Sequence, residues 1–254
     1  MIVAAASVVP ESIALDIPGV PTSLVMSWIA WLVLGTLSVA VARRATMVPG
    51  RAQLVLESAI DYVTDLADQM IGPERAPRYY PLLLGLFLYI LTCNLMGLVP
   101  GLQCPTADAN TAFGLAILVA LYYNAEGIRT HGWGYLRQFT GPPMPWFLLP
   151  VRFLLMLLET IALLVRPFSL GMRLFCNMFS KELLLGILAS LIVQFIADPV
   201  RLQKWFSLGP LLLRPVILLL GAMVGFIQAL VFTILAMAYI GGAVQSEHDV
   251  ERGV

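Results

Sequence analysis

Apolar residues along the chain fall into long runs separated by short polar segments, a pattern typical of a polytopic membrane protein. The spans of ordinary length are predicted at 22–42, 81–99 and 111–126. The first two are close to the roughly 20 residues that a helix needs to cross the hydrocarbon core, and the third is shorter. The pattern predicts an all-α fold and a single membrane domain, with about five membrane-embedded helices.

Basic side chains flank these spans unevenly. They follow the first span as Arg43, Arg44 and Arg51 and the third as Arg129, His131 and Arg137. Because short cytoplasmic loops are enriched in Lys and Arg, the tail 1–21 is predicted to lie outside and, by counting crossings, the tail 245–254 inside. The tail 1–21 has no basic residue, so it is expected to be retained and not cleaved as a signal peptide. The turn with Arg201 and Lys204 then falls outside, against the trend.

Residues 51–71 show a helical period with two distinct faces. The apolar face is Leu56, Ile60, Val63, Ala67 and Met70, and the acidic face is Glu57, Asp61, Asp65 and Asp68. The segment is too charged to span a bilayer. It is predicted to be an amphipathic helix, either lying at the cytoplasmic interface or solvated and packed on a partner.

The last two apolar segments, 147–196 and 208–244, are longer than a simple span. A helix of about 45 residues is roughly 70 Å long, whereas the hydrocarbon core is about 30 Å thick. Each segment is therefore expected to tilt steeply, bend or break. Pro167, which removes one backbone hydrogen bond, offers a bend in the first of them.

Composition agrees with a membrane location: 59% of residues are hydrophobic, 12% are charged, and the mean hydropathy is +0.88. The net charge of zero gives no sign of nucleic acid binding. The cysteines Cys93, Cys104 and Cys176 form no CxxC pair and have only His131 and His248 to complement them. No metal site, disulfide framework or cofactor is therefore expected.

The segment 147–196 carries a polar stripe. Arg152, Glu159, Arg166 and Arg173 follow each other at intervals of seven residues, close to two helical turns, and Asn177 and Ser180 extend the same face. For Arg152 and Arg166, pairing with Glu159 or reaching the membrane surface explains the charge as well as a place in an ion pathway does. An arginine as deep as Arg173 costs about 2.5–3.5 kcal/mol on insertion scales, and such groups usually mark ion pathways.

The final segment has one deep amide, Gln228, with Gly221 and Gly225 on a similar face. Small residues let another helix approach closely. Gln228 is expected either to bond a neighbouring backbone or, with Arg173, to form one polar interface between the two long helices.

Three motifs in these segments resemble the a subunit of the F-type ATP synthase. They are "SLGMRLFCNMFSKEL" around Arg173, "GFIQALVFTILAMAYI" around Gln228, and "NLMGLVPG" followed by "PTADANT". The likeness covers roughly 49–242. It implies a non-catalytic subunit of the proton-transporting ATP synthase, bound to a c-subunit ring, to the b subunits of the peripheral stalk and to the rest of the complex. The sequence shows no targeting segment, which fits a bacterial inner membrane and equally an organelle-encoded subunit.

The resemblance also implies roles for individual residues. Arg173 would be the essential charge that attracts the ring carboxylate and keeps two offset aqueous half-channels separate, with Gln228 near it. The relay positions would be Asp108, Asn177 and Glu182 in the outer half-channel and Glu159 toward the inner exit. The coupling ion, H⁺ or Na⁺, is set mainly by the ring, which is another chain.

Three positions depart from the family pattern: Cys176 replaces a usual Gly, Lys181 a small residue, and Gly221 a frequent His or acidic residue. One hypothesis is that Gly221 leaves room for Lys181, which then modulates the outer relay beside Glu182. The alternative is that Lys181 extends to the outer membrane surface.

Other functional classes explain the sequence less well. A secondary transporter is expected to show an internal repeat, and the two halves show no self-similarity. A structural scaffold does not account for Arg173 and Gln228 deep in apolar helices. A membrane enzyme would need a metal cluster, a nucleophile motif or a phosphate loop, and the sequence shows none of these motifs.

Overall fold

The computed structural model describes residues 20–43, 50–99, 102–132, 149–197 and 208–244. All regular structure in these ranges is helical. The helices are α1 Thr22–Arg43, α2 Arg51–Ile71, α3 Tyr80–Met96, α4 Ala109–His131, α5 Leu149–Ala197 and α6 Leu208–Val244, with 3₁₀ turns at Ala76–Arg78 and Pro105–Ala107. The predicted tails, the turn with Arg201 and Lys204, Arg44, Arg137 and His248 lie outside the described residues.

Four helices contain stretches long and apolar enough to cross a membrane: Thr22–Ala40, Ala109–His131, Val151–Leu191 and Leu212–Val244. The shorter α3, with 17 residues, is also apolar. These five helices, together with the amphipathic α2, confirm the prediction of an all-α polytopic membrane protein.

Helix α5 runs for 49 residues and continues through Pro167. At about 1.5 Å per residue it is roughly 74 Å long. The segment therefore does not break, although a proline leaves one carbonyl of the preceding turn without its usual donor. Only 6% of its most apolar stretch is buried within the chain, so most of α5 presents apolar side chains outward. The tilt of α5 and α6 stays a prediction.

Helix α4 is longer than predicted. The apolar run ends at Glu126, whereas the helix continues to His131. The reason is that Glu126 is 7% exposed and is paired with Arg78, so its charge does not end the helix.

The described residues group into two compact units. Of the described residues, the first takes in 20–43, 87–99, 102–112, 174–197 and 208–230, and the second 50–86, 113–132, 149–173 and 231–244. In the first unit α1 packs on α3, where the rings of Trp31 and Tyr89 stack at 5.0 Å. The rings of Phe87 and Phe226 meet edge to face at 6.0 Å. The predicted single membrane domain is not tested by this grouping.

The second unit contains the whole of α2. Val63, Ala67 and Ile71 are buried, whereas Glu57 and Asp61 are exposed, which agrees with the two predicted faces. The end of α2 lies tightly against α6. A Cβ at Gly241 would come within 2.9 Å of the Met70 carbonyl oxygen, so that contact needs a glycine.

Candidate functional site

Arg173 lies on α5 with its side chain exposed. Within the described part of the chain, it forms no ion pair. Seven residues earlier, Arg166 does have partners: Nη2 is 3.7 Å from Glu159 Oε1, and its Cζ lies 5.8 Å from the centre of the Tyr239 ring. The two arginines therefore differ, because Arg166 is held by neighbours whereas Arg173 presents its charge outward.

Asn177 and Gln228 are paired. Asn177 Nδ2 donates a hydrogen bond of 2.7 Å to Gln228 Oε1, joining α5 to α6. Gln228 is 4% exposed, and its Nε2 is buried without a partner among the described residues. This pairing brings together two of the residues that the sequence singled out, and it leaves one buried donor unused.

Lys181 is buried, with 8% of its surface exposed. Its Nζ donates to the Asn94 carbonyl oxygen at 3.2 Å. A Cβ at Gly221 would lie 3.0 Å from Lys181 Cδ and 3.3 Å from a methyl carbon of Leu98. This is the close approach that the proposed link between Lys181 and Gly221 requires. An ammonium extended to the membrane surface would be exposed, whereas this one is enclosed by its own chain.

Glu182 lies beside Lys181 in sequence and has a different partner. The backbone N–H of Cys104 donates to Glu182 Oε1 at 2.7 Å, so the loop between α3 and α4 holds the carboxylate. The Cys104 thiol in turn donates to the Cys93 carbonyl oxygen at 3.1 Å. Burial raises the pKa of the Cys104 thiol, which therefore stays neutral and able to donate.

Asn94 connects this loop to α6, and nothing in the sequence reasoning had singled it out. Thr106 Oγ1 donates to Asn94 Oδ1 at 3.2 Å, and Asn94 Nδ2 donates to the Gly225 carbonyl oxygen at 2.8 Å. Asn94 and Thr106 are 1% and 0% exposed. Asn94 is a lone amide in an apolar segment, the same pattern that singles out Gln228.

Asp108 lies directly before α4. Its Oδ1 accepts from the backbone N–H of Asn110 at 3.1 Å, as a helix-capping aspartate does. Its Oδ2 accepts from the Ser23 hydroxyl at 2.5 Å. In this structure Asp108 therefore caps α4 and joins it to α1. No hydrogen bond links it to Glu182 among the described residues.

A second buried carboxylate, Glu126, was also missed from sequence. Arg78 Nη2 lies 2.9 Å from Glu126 Oε1, and the Tyr79 hydroxyl donates to Oε2 at 3.3 Å. Burial first, and the charge of Glu126 second, raise the pKa of Tyr79, so that its phenol keeps its proton. This cluster fixes the 3₁₀ turn before α3 to the end of α4.

The described residues contain no group of three His, Cys, Asp or Glu side chains that could hold a metal ion. They contain separate titratable groups, each held by named partners, and an exposed arginine, Arg173, that has no ion pair among them. Titratable groups of this kind can exchange protons with water and hydroxyl groups. An arginine can hold a nearby carboxylate ionised.

Comparison with known proteins identifies the family. A family model described as ATP synthase A chain matches residues 24–241, which takes in all of α2 to α5 and most of α1 and α6. A protein named ATP synthase subunit a 1, from Syntrophotalea carbinolica, is 39% identical over 222 residues, which cover 87% of this chain and 85% of that protein. Proteins named ATP synthase subunit a from Trichlorobacter lovleyi and Geobacter sulfurreducens are 36% and 35% identical over 226 residues, covering 89% of this chain and 88% and 89% of their own lengths. The chain belongs to the ATP synthase A chain family.

Proposed function

We propose that the chain is the ion-conducting stator subunit of ATP synthase, in which Arg173 keeps two aqueous half-channels separate at the surface of a rotating c-subunit ring. The observation that carries the proposal is Arg173 itself. It is exposed on a helix that its own chain leaves largely uncovered, and it has no ion pair within the described residues. An unpaired guanidinium at membrane depth calls for an anionic partner from another chain.

A carboxylate on the ring is such a partner. An arginine stays charged in proteins, so it attracts a deprotonated carboxylate and keeps it ionised where loss of water would otherwise protonate it. Because the guanidinium does not release its proton, it cannot pass one between the half-channels. Protons therefore move only with the ring, driven by about 2.3 kcal/mol per charge for every 100 mV across the membrane.

The proposed outer half-channel uses Glu182 as its main titratable relay. Its carboxylate is held by the Cys104 N–H, and Lys181 occupies the preceding position of α5. Asn177 and Gln228 supply the neighbouring amides. Asp108, bound to Ser23, would act at the entrance. Glu159, paired with Arg166, would serve the inner exit.

The remaining assignments follow the same proposal. The chain would bind the b subunits of the peripheral stalk as well as the ring. It would lie in the inner membrane of a bacterium with its N-terminus outside and its C-terminus in the cytoplasm. These assignments are supported by the family and by the basic residues after α1.

The test is ATP-driven proton pumping by membrane vesicles that carry the assembled complex, comparing wild type with Arg173→Ala. We expect pumping to be lost and the passive proton leak to rise, with assembly unchanged. Arg152→Ala is the matched control, since it removes an arginine from the same stripe of α5, and it should retain pumping. Pumping that survives Arg173→Ala would refute the proposed role.

A further inference from the structure

The first turn of α1 contacts the loop that leads into α4, and the function proposed above gives α1 no role. The Ser23 hydroxyl donates to Asp108 Oδ2 at 2.5 Å, and the Thr22 hydroxyl donates to Gln103 Oε1 at 3.4 Å. The 3₁₀ turn between these two contacts also lies against α1. All of these groups belong to the first unit. The first turn of α1 therefore holds the segment 103–108 at both of its ends.

Both oxygens of the Asp108 carboxylate are bonded. The backbone N–H of Asn110 donates to Oδ1, and the Ser23 hydroxyl donates to Oδ2. The first bond caps α4, whereas the second comes from another helix. A carboxylate bonded at one oxygen can still turn about its broad terminal torsion, and a bond to the second oxygen removes that freedom. Ser23 therefore fixes the direction in which Asp108 presents its carboxylate.

The same segment carries the N–H that holds Glu182. Cys104 follows Gln103 directly, and its backbone N–H donates to Glu182 Oε1 at 2.7 Å. The segment is short and includes a 3₁₀ turn, so a shift of Asp108 would move Cys104 as well. Through this segment α1 reaches both the proposed entrance of the outer half-channel and its proposed main relay.

We propose that Ser23 is a positioning residue of the outer half-channel, which holds the Asp108 carboxylate in the orientation that captures protons and passes them toward Glu182. This rests on the function proposed above and extends it to α1. Ser23 neither gains nor loses a proton in this role. Its effect is greatest when protons are scarce, because capture at the entrance then limits the flux. When protons are abundant, later steps limit the flux and the orientation of Asp108 matters less.

The experiment measures ATP synthesis by vesicles that carry the complete complex, at a fixed membrane potential, as the pH on the outer side is varied. Ser23→Ala should raise the proton concentration that gives the half-maximal rate by about two- to tenfold, the range expected for one lost hydrogen bond. The maximal rate should be unchanged. Ser23→Thr keeps a hydroxyl and should retain the wild-type value. Thr36→Val is the matched control on the same helix, because the Thr36 hydroxyl donates to the Leu32 and Val33 carbonyl oxygens of α1 itself.

The half-saturating proton concentration separates positioning from a loss of stability. A variant that merely destabilises the complex has fewer active complexes, so its rate falls by the same factor at every pH and its half-saturating concentration stays the same. That concentration does not depend on how much complex assembles, so a variant obtained in low yield is still informative. An unchanged half-saturating concentration in Ser23→Ala would overturn the proposal, and so would an equal shift in Thr36→Val or in Ser23→Thr.

Two further variants keep this proposal distinct from the function on which it rests. If Arg173→Ala still synthesises ATP, the half-channel function is refuted, and the role of Ser23 is refuted with it. The same holds for the entrance if Asp108→Asn keeps the wild-type dependence on outer pH. If both variants impair synthesis and Ser23→Ala shows no shift, only the role of Ser23 is refuted.

Discussion

Asn94 Nδ2 donates a 2.8 Å hydrogen bond to the carbonyl oxygen of Gly225, which joins two helices whose residues are 131 positions apart. A Cβ at Gly225 would lie 3.0 Å from the Asn94 Cβ, so the bond is made across a very close helix contact. The same asparagine accepts from Thr106, and its main-chain oxygen accepts from Lys181. Asn94 is therefore the point at which α3, α5, α6 and the loop after α3 are joined.

Replacing Asn94 with Leu should destabilise the protein. The change keeps the volume but removes the donor to the Gly225 carbonyl and the acceptor of the Thr106 hydroxyl, which keeps its contact with the Cys104 thiol. The variant should therefore lose about 1–3 kcal/mol. Thermal unfolding of the purified complex measures the loss. Thr92→Val is the matched control, because among the described residues the Thr92 hydroxyl bonds just the Leu88 carbonyl, within its own helix. An Asn94→Leu protein as stable as the control would contradict the prediction.

Gly221→His should impair proton transport in the presence of Lys181. The Cβ alone approaches Lys181 Cδ to 3.0 Å, and an imidazole needs the volume that the lysine stem occupies. Overpacking of this kind costs about 1–3 kcal/mol, or roughly 5- to 150-fold in the population of the native lysine position. ATP-driven pumping measures the effect. The double variant Gly221→His, Lys181→Gly should recover much of the loss. Strictly additive losses would show that the two positions do not share space.

Glu182→Gln should abolish pumping and preserve the fold. The glutamine oxygen still accepts from the Cys104 N–H, so the loop contact survives, whereas the amide cannot carry a proton. Pumping and the unfolding midpoint are measured on the same preparation. Pumping that persists at an unchanged midpoint would exclude Glu182 as the main outer relay.

Gly241→Ala should destabilise the protein, whereas Gly242→Ala should not. The added methyl at Gly241 meets the Met70 carbonyl oxygen at 2.9 Å, a backbone atom that cannot rotate away, whereas the one at Gly242 meets nothing within 4 Å. We expect a loss of about 1–3 kcal/mol for Gly241→Ala and up to about 1 kcal/mol gained for Gly242→Ala from helix propensity. Equal unfolding midpoints for the two variants would contradict the tight contact between α2 and α6.

Glu126→Gln should lower the pKa of Tyr79 while leaving it above the normal value, because burial is the larger cause of its elevation. The sign of the effect on stability follows. A phenol that is harder to ionise when folded contributes stability below about pH 10, where the unfolded phenol is still protonated, and loses it as pH rises further. The variant should therefore lose less stability above about pH 10 than the wild type. Unfolding measured across that pH range checks this, with Tyr79→Phe as the control that removes the group.

Much of the fold could be predicted from the sequence, because the patterns that specify helices are local. Runs of apolar residues located α1, α3, α5 and α6, and the two-faced period located α2. The last turn of α4 is not visible in this pattern, because the apolar run ends at Glu126 whereas the helix continues to His131. The compensating partner of Glu126, Arg78, is 48 residues away in sequence, and no local pattern shows that pairing.

In the candidate site too, local patterns could be predicted from the sequence and long-range contacts could not. Spacing along one helix identified Glu159, Arg166 and Arg173, and the close approach of Lys181 to Gly221 was anticipated. The contacts that hold Glu182 and Lys181 could not be predicted. They come from the Cys104 N–H and the Asn94 carbonyl, which are 78 and 87 residues away in sequence. Backbone groups exist at every position, so sequence alone cannot tell which of them will be used.

The partner of Lys181 has a consequence for which substitutions this site tolerates. A main-chain oxygen is present whatever amino acid occupies position 94, so the acceptor for the ammonium does not depend on that side chain. The space for the lysine stem does depend on a side chain, because a Cβ at position 221 would lie 3.0 Å from Lys181 Cδ. The lysine is therefore more sensitive to the residue at 221, which it does not bond, than to the identity of the residue that supplies its acceptor.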